Sequence, residues 1–121
     1  MATKKMVFIL THGQESPELA TVPFVMANAA LASDMEAVII LQSSAVYLAV
    51  KDMAAHVRAE AFPPLQELIK SFSELGGRIM VCVPCLKSRG IDDKQVIDGV
   101  KLVAAATVVA EASSADSTMV Y

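Results

Sequence analysis

Short, continuous apolar runs that alternate with longer helical patterns are the feature that most constrains how this chain can fold. The first three runs cover residues 6–11, 37–41 and 79–82. A strand that is apolar along its whole length is typical of a parallel sheet, because helices cover both of its faces. The alternation therefore predicts an α/β domain built from βαβ units. Residues 117–121 are predicted to add an edge strand.

Composition and charge narrow the class of protein further. The 121 residues, 55% of them hydrophobic, suit one packed domain over residues 1–121. A net charge of −3 without any basic run gives no electrostatic footprint for nucleic acid. No apolar run approaches the roughly 18 residues that cross a bilayer, and residues 6–10 are too short for a signal peptide. We therefore expect a cytoplasmic protein without membrane partners, whose two cysteines stay reduced.

The first helix is predicted to begin near residue 17. Ser16 is placed to cap it, and Pro17 suits the first helical position. Pro23 lies inside the pattern, where it predicts a kink or a late start. Apolar residues at helical spacing predict the buried face, which comprises Val22, Val25, Met26, Ala29 and Ala30.

Helix signals recur in the second half of the chain. Residues 45–50 and 84–88 are predicted to form short helices, and Asp92 with Gln95 has the spacing of a capping box. Residues 100–112 are ambiguous, because β-branched residues favour a strand while alanines and length favour a helix; we assign them to a helix. A further helix follows Pro63-Pro64 and ends at Gly76-Gly77, with a predicted buried face of Leu65, Leu68, Ile69, Phe72 and Leu75.

Reactive and polar side chains follow the ends of three predicted strands, at residues 11–13, 42–44 and 82–85. The carboxyl ends of parallel strands share one edge of a sheet, where ligands collect. Cys82 ends the third run, and Lys87, Arg89 and a helix N-terminus lie close by in sequence. Each favours a thiolate, the reactive form of cysteine. The alternative is that Cys82 is an ordinary core residue, since free cysteines are often buried.

The spacing of Cys82 and Cys85 permits two further interpretations. A dithiol separated by two residues can cycle through a disulfide, as in thioredoxin-like proteins. A structural zinc site needs four Cys or His ligands, and only His12 and His56 could complete one, so zinc is weakly supported.

Three other residues are candidates for the same site. His12, beside Cys82, would stabilise a thiolate or persulfide or move a proton; the alternative is a solvated ring in a turn. Ser43 and Ser44 offer hydroxyl and backbone N–H groups that can bind an anionic sulfur species, although such residues more often serve turns and caps.

Two segments carry a resemblance to a known family. Residues 77–91, GRIMVCVPCLKSRGI, followed by VIDGV at 96–100, resemble the cysteine region of the DsrE/DsrF-like family. Residues 18–32, ELATVPFVMANAALA, are similar to that family's first helix, including the interior proline. The likeness covers nearly the whole chain. It implies a three-layer α/β/α flavodoxin-like domain with a mainly parallel five-stranded sheet, assembled as a homo-oligomer, either a trimer or a hexamer.

The resemblance also implies a function. Family members act in intracellular sulfur trafficking and hold sulfur as a persulfide on a cysteine at the end of a strand, which Cys82 matches. We therefore expect a sulfur carrier or sulfurtransferase that needs no cofactor and has donor and acceptor proteins as partners. Cys85 matches a position that is cysteine in only some relatives. Two alternatives stay open: a dithiol redox protein using Cys82 and Cys85, and a non-catalytic oligomeric subunit.

Overall fold

A sheet of five parallel strands forms the centre of the computed structural model, which describes residues 3–121. The order across the sheet is β4-β3-β2-β1-β5. This confirms the predicted α/β class and parallel sheet, with a strand order that differs from the 2-1-3-4-5 order of flavodoxin itself. The strands are β1 (Lys5–Leu10), β2 (Glu36–Leu41), β3 (Arg78–Cys82), β4 (Lys101–Val103) and β5 (Ser117–Val120).

Helices cover both faces of the sheet, which gives three layers. One face packs against α1, α2 and α3, and the opposite face packs against α4. Within residues 3–121, no helix combines the length and the apolar character needed to cross a membrane. The α-helices are α1 (Pro17–Ala32), α2 (Leu65–Glu74), α3 (Val83–Ser88) and α4 (Ala105–Ser113), and 3₁₀ helices span Ser43–Ala49, Ala54–His56 and Asp93–Gln95.

Side chains of the central strands alternate between the two helical layers. In β1, Val7 lies on the face covered by α4, and Phe8 lies on the opposite face. In β2, Ile40 lies on the face covered by α4, and Ile39 lies on the opposite face. All four side chains are fully buried, which explains why these strands read as continuous apolar runs.

The buried face of α1 differs from the predicted one. Only Ala30 is shared with the residues that bury, which are Ala20, Thr21, Pro23, Phe24, Ala27 and Ala30. The helix is apolar on nearly every side, so helical spacing alone does not identify the stripe that meets the sheet. The late start is also wrong, because the helix begins at Pro17 and continues through Pro23. Ser16 occupies the N-cap position, as predicted, but its hydroxyl makes no capping hydrogen bond.

The segment assigned to one helix, residues 100–112, contains a strand and a helix. Lys101–Val103 form β4, which pairs with β3, and the alanine-rich remainder forms α4. Pairing with the end of β3 outweighs the helical propensity of these three residues, because tertiary contacts override local preference. Leu75 is exposed rather than buried, because it follows the last turn of α2 and the chain reverses at Gly76 with a φ of +90°. The predicted capping box of Asp92 and Gln95 is confirmed.

A close contact between Gly77 and the ring of Phe72 yields a stability test. A Cβ at Gly77 would lie 2.4 Å from atoms of this ring, which is fully buried and packs edge-to-face on Phe24. We expect Gly77→Ala to lower the free energy of unfolding by about 1–3 kcal/mol, as overpacking does. Urea unfolding measures the change. Ser73→Ala, on the exposed side of α2, serves as the control and should change it by less than about 0.5 kcal/mol. Equal effects would contradict the contact.

Candidate functional site

The ends of β1, β2 and β3 meet at one edge of the sheet, as the parallel arrangement requires. The Ser44 hydroxyl donates a hydrogen bond of 3.2 Å to the carbonyl of Thr11, which joins the ends of β2 and β1. The backbone N–H of Ser43 donates to Cys85 Sγ at 3.3 Å, which joins the end of β2 to α3. The predicted convergence of residues 11–13, 42–44 and 82–85 is therefore present as direct contacts.

Gly13 determines how closely the first two strand ends approach. A Cβ at this position would lie 2.4 Å from the carbonyl oxygen of Ser44, so only glycine fits without displacing the turn. The Gly13 N–H donates to both carboxylate oxygens of Glu15, at 2.8 and 3.0 Å. The turn after β1 is thereby held against the turn after β2.

Cys82 lies where β3 ends and α3 begins. It pairs with Val103 of β4 and is the N-cap residue of α3. Its side chain is partly buried, as is that of Cys85, and the two thiols are free. A sulfur in this position is held by the sheet on one side and by a helix on the other, and it keeps access to solvent.

The surroundings of Cys82 raise the pKa of its thiol. Burial is the largest cause, and the hydrogen-bonded sulfur of Cys85 acts in the same direction. The backbone N–H of Cys85 and the positive charge of Arg89 act in the opposite direction but do not outweigh burial. This corrects the expectation that nearby cations and a helix N-terminus make Cys82 a thiolate: the desolvation of the anion is the larger effect.

The two predicted cations have different surroundings. The Arg89 guanidinium, at the end of α3, donates to the carbonyl of Cys85 at 3.2 Å, and its charge favours the anion of Cys82. Lys87 is exposed. It lines a cavity of about 290 Å³ beside α3, together with Val83, Leu86, Ile91, Asp92, Asp93 and Leu102.

His12 lies at a distance from the cysteine pair. It follows β1, and β2 separates β1 from β3, so two strand spacings of about 4.8 Å place its backbone roughly 10 Å from that of Cys82. Its Nδ1 is 3.2 Å from the hydroxyl of Thr11. The groups that shift the pKa of Cys82 are Cys85 and Arg89. The structure thus places Ser43 with the cysteines and His12 on the far side of β2.

Glu15 is a site residue that sequence reasoning missed. Burial raises the pKa of its carboxyl group, but hydrogen bonds from Ser44 and Gly13 and the charge of His12 outweigh burial and lower that pKa. Glu15 therefore belongs to a polar cluster with His12 and Ser44 at the edge of the site. In the sequence, the only signal for Glu15 is its position in the turn after the first predicted strand.

The zinc interpretation has no set of ligands in the described structure. Within residues 3–121, no three His, Cys, Asp or Glu side chains lie close enough together to hold a metal ion. His56, in the 3₁₀ helix Ala54–His56, is exposed.

The fold and the site together define a small α/β protein with two neighbouring thiols at the carboxyl edge of a parallel sheet. Comparison with family models adds a match to the DsrE/DsrF-like family over residues 4–121. The chain belongs to the DsrE/DsrF-like family.

Individual proteins and solved structures are similar to this chain. The uncharacterized protein MJ0989 of Methanocaldococcus jannaschii is 30% identical over 117 residues, covering 97% of this chain and 99% of that protein. MJ0760 of the same organism is 31% identical over 103 residues, covering 85% of this chain and 38% of that protein. The ychN protein of E. coli has a TM-score of 0.81 at 19% identity, covering 99% of this chain and 100% of the other. MTH1491 of Methanobacterium thermoautotrophicum, a protein of unknown function, has a TM-score of 0.75 at 16% identity. The match covers 98% of this chain and 99% of the other. These two structures show the fold.

The contrast between Arg89 and Lys87 can be tested by removing each charge. We expect Arg89→Gln to raise the pKa of the Cys82 thiol further, because the guanidinium favours the anion. Lys87→Gln removes the same charge from an exposed side chain and should leave that pKa unchanged. NMR titration of cysteine labelled with ¹³C at Cβ measures both variants. A midpoint for Cys82 in the wild type below the value of about 8.5 for free cysteine would contradict the raised pKa.

Proposed function

We propose that this chain carries sulfane sulfur as a persulfide on Cys82 and passes it to an acceptor thiol in an intracellular sulfur relay. Membership of the DsrE/DsrF-like family supports a sulfur-relay role. One observation carries the choice of residue: Cys82 is a partly exposed, free thiol at the carboxyl end of β3, with a second free thiol three residues later in α3. The partners are a donor protein that bears a persulfide and an acceptor protein that bears a thiol, in the reducing cytoplasm.

Loading is a sulfur transfer between two thiols. The Cys82 thiolate attacks the outer sulfur of the donor persulfide, the donor S–S bond breaks, and the donor leaves as a thiolate. The raised pKa of Cys82 means that its proton must be removed as attack begins. That proton passes, directly or through water, to the donor thiolate that leaves, so the step is balanced.

In the unloading step, the sulfur passes from Cys82 to the acceptor protein. The acceptor thiolate attacks the outer sulfur of the Cys82 persulfide, and Cys82 leaves as a thiolate. The charge of Arg89 favours this leaving anion. The sum of the two steps oxidises and reduces nothing, because each broken S–S bond is replaced by another.

Two other functions make different demands on the same residues. A dithiol redox protein is favoured by the spacing of the two free thiols, three residues apart at the start of α3, and it needs both thiols and carries no sulfur. A non-catalytic oligomeric subunit needs neither thiol, so Cys82→Ser would leave its partner interactions intact. Only the carrier function predicts that the Cys85→Ser variant keeps an added sulfur atom after exposure to a sulfur donor.

Intact mass spectrometry after incubation with inorganic polysulfide tests the proposal. We expect the reduced Cys85→Ser variant to gain one sulfur atom, since Cys82 holds the cargo. Cys82→Ser should gain none, and circular dichroism confirms that both variants fold. If Cys82 remains unmodified in both the wild type and Cys85→Ser, the carrier function is excluded. A gain that persists in Cys82→Ser would move the site to Cys85.

We also propose that the chain forms a homo-oligomer, a trimer or a hexamer. Exposed apolar side chains support this: Leu19 and Met26 lie seven residues apart on one side of α1, at 38% and 42% exposure, and Val109 of α4 reaches 65%. Sedimentation velocity at micromolar concentration should therefore show an assembly. We expect Met26→Lys to weaken it, while Ser73→Lys, on the exposed side of α2, should not. A monomeric wild type would contradict the assembly.

A further inference from the structure

We infer that Cys85 discharges the sulfur from Cys82 when no acceptor thiol arrives, releasing it as hydrosulfide and closing a disulfide between the two cysteines. The inference rests on the proposed function, because it needs a persulfide on Cys82. It adds a second fate for that persulfide and gives the second thiol a catalytic role. Transfer to a partner and release as sulfide then compete at one site.

A backbone N–H is directed at the sulfur of Cys85. Cys85 Sγ accepts the N–H of Ser43 at 3.3 Å. Hydrogen bonds donated to a sulfur stabilise negative charge on it. We therefore assign Cys85 as the nucleophile of the discharge step.

The backbone of the β2 turn aims this N–H at Cys85. Ser43 has a φ of +51°, a left-handed conformation that residues other than glycine rarely adopt. Ser43 is the first residue of the 3₁₀ helix Ser43–Ala49, and the side chains of Ala45 and Val46 in this helix are buried. The donor is thus fixed by the fold and does not depend on a mobile side chain.

The two sulfurs can reach each other without a change of fold. Cys82 is the N-cap residue of α3 and Cys85 is its third helical residue. Helix geometry, with a rise of 1.5 Å per residue and a radius of about 2.3 Å, places Cα atoms three residues apart at about 5 Å. Disulfides span Cα separations of roughly 4.4–6.8 Å, so a bond between these residues is sterically accessible.

The discharge step balances within the protein. The Cys85 thiolate attacks Cys82 Sγ, the inner sulfur of the persulfide. The bond between Cys82 Sγ and the outer sulfur breaks, and hydrosulfide leaves with the electron pair. Two cysteine sulfurs are oxidised to a disulfide while the sulfane sulfur is reduced to sulfide. A cellular dithiol reductant must then reopen the disulfide before the site can be loaded again.

The test follows loaded protein after the donor is removed and no acceptor is added. Protein loaded with inorganic polysulfide is desalted, and released sulfide and intact mass are measured over time. We expect the wild type to release sulfide and to end two hydrogens lighter than the reduced protein. Cys85→Ser should keep its extra sulfur, with release slowed on the order of 100-fold or more, because it lacks the intramolecular nucleophile.

A control variant isolates the thiol of Cys85. Ser88→Ala removes a hydroxyl that donates to the carbonyl of Cys85, not to its sulfur, and should discharge like the wild type.

Three results would overturn the inference, and one of them would also overturn the carrier function. If loaded wild type keeps its sulfur as long as Cys85→Ser does, or if both release it equally fast, Cys85 does not discharge it, and the carrier function stands. If Cys82 loads in neither protein, the carrier function fails together with the inference.

Discussion

The parallel pairing of β1, β2 and β3 is the constraint on which the site depends. Because the three strands run in one direction, their carboxyl ends lie at one edge, and every proposed site residue lies at or after one of those ends. Gly13 then permits the turns after β1 and β2 to touch, and the Ser43 N–H reaches across to Cys85. A reversed strand would carry its polar turn to the opposite edge and separate these groups.

Two cysteines three positions apart acquire different properties from this arrangement. Cys82 is held at the junction of strand and helix, where burial favours the neutral thiol. Cys85 faces the β2 turn and receives the N–H of Ser43. Among the charged side chains, Arg89 favours the Cys82 anion without outweighing burial. In the function that we propose, Cys82 holds the cargo and Cys85 displaces it.

The sequence predicted the strands with the strongest patterns and the strand ends that form the site. Continuous apolar runs identify β1, β2 and β3 because both faces of each are buried. The three residues of β4 carry too short a pattern, and α1 is apolar on too many sides for its buried face to be read. Strand order was the missing information for His12: only the order shows that β2 lies between it and Cys82. The pKa of Cys82 likewise depends on a degree of burial that residue spacing does not reveal.

The most direct measurement of the central claim, that Cys82 holds the sulfur, is a crystal structure of sulfur-loaded Cys85→Ser with the sulfur atoms located by anomalous scattering. The Cys85→Ser variant is chosen because the inferred discharge by Cys85 would release the cargo during crystallisation. We expect one additional sulfur peak about 2.05 Å from Cys82 Sγ, the length of an S–S bond. An unmodified Cys82 in protein whose mass shows the added sulfur would contradict the claim.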